Sequence, residues 1–97
     1  MSAYVVTQVE IHDRKEYQKY LDGFLLVSDK YGGELLTTSG HETLVLEGEW
    51  AYPRTVIMRF PSVDAARNWY QDPEYQKLSE HRYRASSANM VLVEGIT

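Results

Sequence analysis

Apolar and β-branched residues run almost unbroken from Ala3 to Ile11, which predicts a first strand. The period then changes. Tyr17, Tyr20, Leu21, Phe24, Val27, Ser28 and Tyr31 recur at three- and four-residue intervals, the stripe of an amphipathic helix. Asp13 is its expected N-cap and Glu16 the reciprocal capping-box partner. Gly32-Gly33 ends the helix, since glycine enters the left-handed C-cap conformation without strain. Leu26 lies on the opposite side of this helix, and one exposed leucine needs no special account. Glu34–Thr38 and Thr43–Glu47 are strand-like, separated by Ser39-Gly40-His41-Glu42; this reads as a hairpin or as one strand kinked at Gly40. Arg54–Phe60 is a further strand, entered through Tyr52-Pro53. Ser62 caps a second helix with Asp64 in its first turn, and Trp69 and Tyr70 close its first segment. Asp72-Pro73 restarts it, with Asp72 as cap and Pro73 at the first helical position. Tyr75, Leu78, Ser79 and Arg82 then share one face. Ser86–Asn89 is expected to be a loop, and Met90–Gly95 the last strand.

The order β-α-β-β-α-β is the ferredoxin-like arrangement of the α+β class, a four-stranded antiparallel sheet with its helices on one face. The other face is where the pattern departs from the ordinary. Met90 and Leu92 alternate with Val91 and Val93; Val56, Met58 and Phe60 with Ile57; Val5 and Val9 with Tyr4 and Val6. An antiparallel sheet with one wet face should alternate apolar with polar, and a bare apolar face of this extent is unusual for a monomer. A second copy of the same sheet is the expected cover, which makes the chain a homodimer.

Composition narrows the function classes. Ninety-seven residues are expected to form one domain over residues 1–97, small enough that folding removes only roughly 60–65% of its surface from water. A formal charge of −4 argues against nucleic acid as a partner. The local basic group Lys77, His81, Arg82 and Arg84 falls near a helix end, where the helix dipole favours cations. No membrane partner is expected, since no run of about 18 apolar residues occurs. The start, Met1-Ser2-Ala3-Tyr4, shows no signal-peptide pattern. The absence of cysteine excludes disulfides, thiolate metal sites and thiol nucleophiles, and fits a cytoplasmic setting.

Motifs for chemistry are sparse. His12, His41 and His81 show no metal-ligand spacing, so no metal is expected. No serine sits in a Gly-x-Ser-x-Gly elbow, and Gly32-Gly33 follows a helix rather than opening one, so it is no phosphate cradle. Gln8 and Arg59 have the strand parity assigned to the interior of a dimeric barrel, with Glu47 a further candidate there. Arg82 lies on the apolar face of the second helix. A buried arginine needs a carboxylate, and Glu47 and Glu94 are the expected partners; the competing reading is that Arg82 clamps an anionic ligand bidentately. Trp50, Trp69, Tyr70 and Tyr75 are core aromatics or, on the sharper reading, the walls of a binding site. His41 in its glycine-adjacent turn is a solvated loop histidine or a general base.

Tyr31-Gly32-Gly33, Leu46-Glu47-Gly48 with Trp50, Phe60-Pro61-Ser62, Trp69-Tyr70, Pro73-Glu74-Tyr75-Gln76, Arg82 and Val93-Glu94-Gly95 form one ordered set over nearly the whole chain. In this order and spacing the chain resembles the small bacterial proteins of domain-of-unknown-function family thirteen-thirty, in the dimeric α+β-barrel superfamily. The resemblance implies a ferredoxin-like fold and a homodimer with facing sheets, and it implies no activity. Arg59 departs from the acidic residue expected there. Two functions remain. One is a small-molecule binder or cofactor-free enzyme, oxygenase- or isomerase-like by fold analogy, with its pocket between sheet and helices. Its ligand-binding candidates are Arg82, Tyr75, Trp50, Tyr70 and Arg59, its catalytic candidates His41 and Arg82, and its expected ligand a small aromatic or carboxylate-bearing molecule. The other is a non-catalytic homodimer whose polar residues only hold the barrel together.

Overall fold

The computed structural model describes residues 1–97 as β1 (Ala3–Ile11), α1 (Arg14–Asp29), β2 (Glu34–Leu35), β3 (Arg54–Phe60), α2 (Val63–Gln71), α3 (Pro73–Ala85) and β4 (Ser86–Glu94). The sheet runs β2-β3-β1-β4, every pair antiparallel. This is the ferredoxin-like order, with the outer strands contributed by the second and last strand positions of the chain.

Local chemistry sets the boundaries. Asp13 Oδ1 accepts the Glu16 backbone N–H at 3.1 Å and caps α1. The capping box is only half formed, however. The Asp13 N–H is already taken by the Ala85 carbonyl, and the Glu16 carboxylate turns instead to His81 and Arg84 on α3. Gly32 has φ +73°, the left-handed conformation that ends α1. Its neighbour is glycine for a different reason: a Cβ on Gly33 would stand 2.8 Å from the Phe60 ring. Asp72 breaks the second helical stretch into α2 and α3 by accepting the Glu74 N–H at 2.7 Å, with Pro73 at the first position of α3.

Two expected boundaries differ. Thr43–Glu47 is not a strand, and β2 is only Glu34–Leu35. Beyond it the chain follows the edge of β3 through isolated contacts, with Leu36 N–H to Ile57 O at 2.8 Å and Thr43 N–H to Pro53 O at 2.8 Å. Leu44 and Leu46 are 87% and 94% exposed, so this apolar stretch has no surface to pack on. Conversely, Ser86–Asn89 is the first half of β4 rather than a loop. It pairs residue by residue with Ile11 to Gln8 of β1. A long partner strand overrides the weak strand preference of Ser-Ser-Ala-Asn, because strand preference is largely cross-strand context.

The register sorts the sheet into two faces. Val5, Val9, Met58 and Phe60 are buried beneath the helices, where they join Tyr17, Tyr20, Phe24, Trp69 and Tyr75 in one core. Tyr4, Val6, Ile57, Val91 and Val93 share the opposite face with Gln8 and Arg59. Val91 and Val93 there are 54% and 50% exposed. No helix is long and apolar enough to cross a membrane.

Candidate functional site

Between the helix-covered face of the sheet and the helices lies a chamber of about 320 Å³. Val5 and Thr7 of β1 and Met58 of β3 form its floor. Tyr17, Tyr20 and Phe24 come from α1, Trp69 from α2 and Arg82 from α3, and Ser39 and Gly40 of the β2–β3 connection border it. The stripe that builds the core therefore also builds the chamber wall. Its size is near the lower end of small-molecule pockets, roughly 300–1,000 Å³.

The wall is a continuous aromatic assembly. Trp69 packs on Tyr75 with ring centroids 4.1 Å apart, and Phe60 on Trp69 at 5.1 Å. The Tyr20 and Tyr75 hydroxyls are hydrogen-bonded at 2.8 Å, so each phenol satisfies the other away from water. Burial pushes the Tyr17 phenol above its ordinary range and the Tyr20 phenol well above it. Both are neutral at physiological pH. No aspartate, glutamate, histidine or lysine lines the chamber.

Arg82 is the one formal charge of this wall, and only 6% of it is exposed. It makes no ion pair with any carboxylate. Neither expected partner reaches it. Glu94 ends the nine-residue β4, which starts just after α3, so it stands roughly 26 Å along the strand from Ser86. Glu47 lies in the exposed β2–β3 connection. The nearby Glu16 is occupied by His81 and Arg84. What Arg82 has instead is aromatic cover, its Cζ lying 4.9 Å from the Tyr83 ring centroid and 5.7 Å from that of Tyr20. Ring faces attract the cation, yet they offer no acceptor to its buried Nε–H. The buried side-chain nitrogens without a hydrogen-bond partner are Arg82 Nε and Trp69 Nε1, and both residues line the chamber.

The other residues singled out from the sequence are dispersed. Tyr75 is fully buried behind the chamber, holding Tyr20. Tyr70 borders a separate cleft of about 220 Å³ between α2 and β4. Trp50 donates to Thr55 Oγ1 at 3.2 Å and shares a shallow surface cleft with His41. Arg59 is on the open sheet face, ion-paired with Glu34. Gln8 is on the same face but opposite Thr55, four residues along β1 from the partner of Arg59, and accepts from Asn89 at 3.4 Å. Tyr17 and Tyr20, which do line the chamber, are hidden in the sequence inside the helical stripe. No signal in the sequence marks them out, because Tyr75 in the packed core carries the same hydroxyl.

Fold and site together define a ferredoxin-like α+β protein with a half-open chamber between sheet and helices. The chain matches the domain-of-unknown-function family DUF1330 over residues 2–96 and belongs to that family. No curated protein matches it. Among solved structures it is similar to a protein of unknown function from Rhodopseudomonas palustris, at 19% identity and TM-score 0.76, over 99% of this chain and 83% of that one. It is also similar to SnoaB from Streptomyces nogalater, a cofactor-independent oxygenase, at 13% identity and TM-score 0.68, over 99% and 94% of the two chains. A dimeric ferredoxin-like protein of unknown function from Jannaschia sp. CCS1 matches at 11% identity and TM-score 0.64, over 98% and 100%. These likenesses establish the fold.

Proposed function

We propose that this protein binds a small organic anion with an apolar, partly aromatic body in the chamber, and that Arg82 supplies the counter-charge. The observation that carries this is the burial of Arg82 without a carboxylate, its Nε unpaired, in a residue that lines the chamber. A buried guanidinium left without a counter-ion is costly, and a bound carboxylate offsets that cost through two parallel hydrogen bonds. The purely structural role for Arg82, a salt bridge tying helix to sheet, has no acidic partner to support it. Since no general base lines the chamber, its own groups are suited to stabilising negative charge on a ligand rather than to removing a proton. Cofactor-free oxygenation or isomerisation of such an anion is the catalytic form of this reading; the fold shared with a cofactor-independent oxygenase supports it by analogy alone.

The functional unit of this reading is a homodimer closed over the open sheet face. Tyr4, Val6, Ile57, Val91 and Val93 form an apolar surface there, and the dimeric ferredoxin-like neighbour shares the fold. Light scattering at micromolar protein is expected to give twice 11.2 kDa, and Val6→Lys with Val91→Lys should give monomers. A wild-type monomer would refute the dimer.

A thermal-shift panel of small aromatic acids, keto acids and quinones tests the chamber. A ligand at 100 times its Kd stabilises the fold by about 2.7 kcal/mol, a shift of several degrees at this size. A panel without a single shift would overturn the binding reading.

A further inference from the structure

A second cleft, of about 380 Å³, adjoins the chamber on its outer side. The two share Tyr17, Leu21, Ser39 and Gly40 as lining residues, so nothing thicker than these side chains and one glycine separates them. Their chemistry is opposite. The chamber is apolar with one buried cation, while the outer cleft is polar and holds Arg14 at the start of α1 and Arg54 at the start of β3. Neither arginine belongs to any ion pair of the protein. Arg54 is half-buried and spends one N–H on the Ser39 carbonyl at 3.0 Å, which leaves most of its donors free. Arg14 makes no side-chain contact at all within the protein's hydrogen-bond network. The acidic residue in the cleft is Glu10, itself 3.8 Å from His12. A chain of net charge −4 thus concentrates two arginines without a carboxylate partner at the rim of the chamber.

We infer that the ligand is two-ended: its apolar body lies in the chamber with an acceptor toward Arg82, and a carboxylate tail passes Tyr17 and Gly40 onto Arg14 and Arg54. This rests on the chamber reading above and adds the tail, its charge and the residues that select it. Arginine suits the task because its planar fork holds a carboxylate bidentately while remaining charged at all relevant pH values. Arg14 is exposed and Arg54 half-buried, so their contribution is screened by salt more than that of the buried Arg82.

The test uses two probes on the whole chain: a naphthoate carrying a plain alkyl tail, and the same naphthoate with that tail ending in a carboxylate. Calorimetric titration of the wild type should show the carboxylate tail binding about 10-fold more tightly, the scale of a hydrogen bond to a charged group. That advantage should shrink as sodium chloride rises from about 0.05 to 0.5 M. Arg14→Gln, which breaks no contact within the protein, should remove part of the advantage, and Arg14→Gln with Arg54→Gln should remove all of it. The plain-tailed probe should bind both variants as it binds the wild type. Equal affinity of the two probes for the wild type, or an unchanged preference in the double variant, would overturn the two-ended ligand while leaving the chamber reading standing. Failure of both probes to bind the wild type would bring down the chamber reading and this inference with it.

Discussion

Replacing Arg82 by methionine should leave the protein at least as stable as the wild type, an unusual expectation for a 6% exposed charged residue. Methionine keeps an unbranched apolar stem of similar reach, so packing against Tyr20 and Tyr83 is largely retained. What is lost is the attraction of the guanidinium to two ring faces, at 4.9 and 5.7 Å, each worth about 0.5–2 kcal/mol. What is relieved is the desolvation of an ion with no counter-charge, which costs several kcal/mol after relaxation. The second effect is the larger, and the net change should fall between zero and about 2 kcal/mol in favour of the variant. Each kcal/mol corresponds to about 4–8 °C in Tm at this chain length. Denaturant melts at one fixed protein concentration measure it, with equal slopes for the two proteins as a check that the unfolded state is unchanged. A loss of about 3–5 kcal/mol, the signature of a stranded charge partner, would refute the reasoning, because it would mean that a carboxylate does pair with Arg82. The same variant should lose affinity for aromatic carboxylates.

Tyr75→Phe leaves the Tyr20 hydroxyl buried without its partner and should cost about 1–3 kcal/mol, whereas Tyr20→Phe with Tyr75→Phe should cost less than the sum of the two single changes; additive losses in urea melts would contradict the pair. Glu16 has its carboxyl lowered from 4.5 to about 2, first by His81 and then by Lys19 and Arg84. Its folded value lies below its unfolded one, so its stabilisation is whole above pH 4.5 and is lost as pH falls through about 2. Melts across that window should show Glu16→Gln with a shallower acid limb than the wild type, and parallel limbs would count against the cluster. Leu44→Ser, at an exposed position without neighbours to lose, should change the denaturant midpoint by less than about 0.5 kcal/mol equivalent.

Much of the fold is legible in the residues because short-range chemistry decides it. The Tyr17-to-Val27 stripe, the Gly32 cap and the Asp72-Pro73 restart each act within a few positions. The errors fall where a distant partner decides. Thr43–Glu47 has strand-like residues and finds nothing to pair with, while Ser86–Asn89 has poor strand residues and a full-length partner in β1. The site divides the same way. Arg82 on an apolar helix face is visible from spacing, and so is its need for a counter-charge. That Glu94 is a strand's length away, and that His81 and Arg84 already occupy Glu16, are facts of topology. Nor does spacing separate the stripe residues that fill the core from those, such as Tyr17, that border an unfilled volume.

A ligand oxygen that takes up the unpaired Arg82 Nε–H would be seen directly in a proton–nitrogen correlation spectrum of the arginine Nε groups. Arg82 can be assigned from the resonance missing in Arg82→Met. On titration with the tightest aromatic carboxylate from the thermal-shift panel, that signal should move downfield saturably and exchange more slowly with solvent, as a new charge-assisted hydrogen bond requires. Saturable binding that leaves the Arg82 signal in place, while others move, would contradict the account.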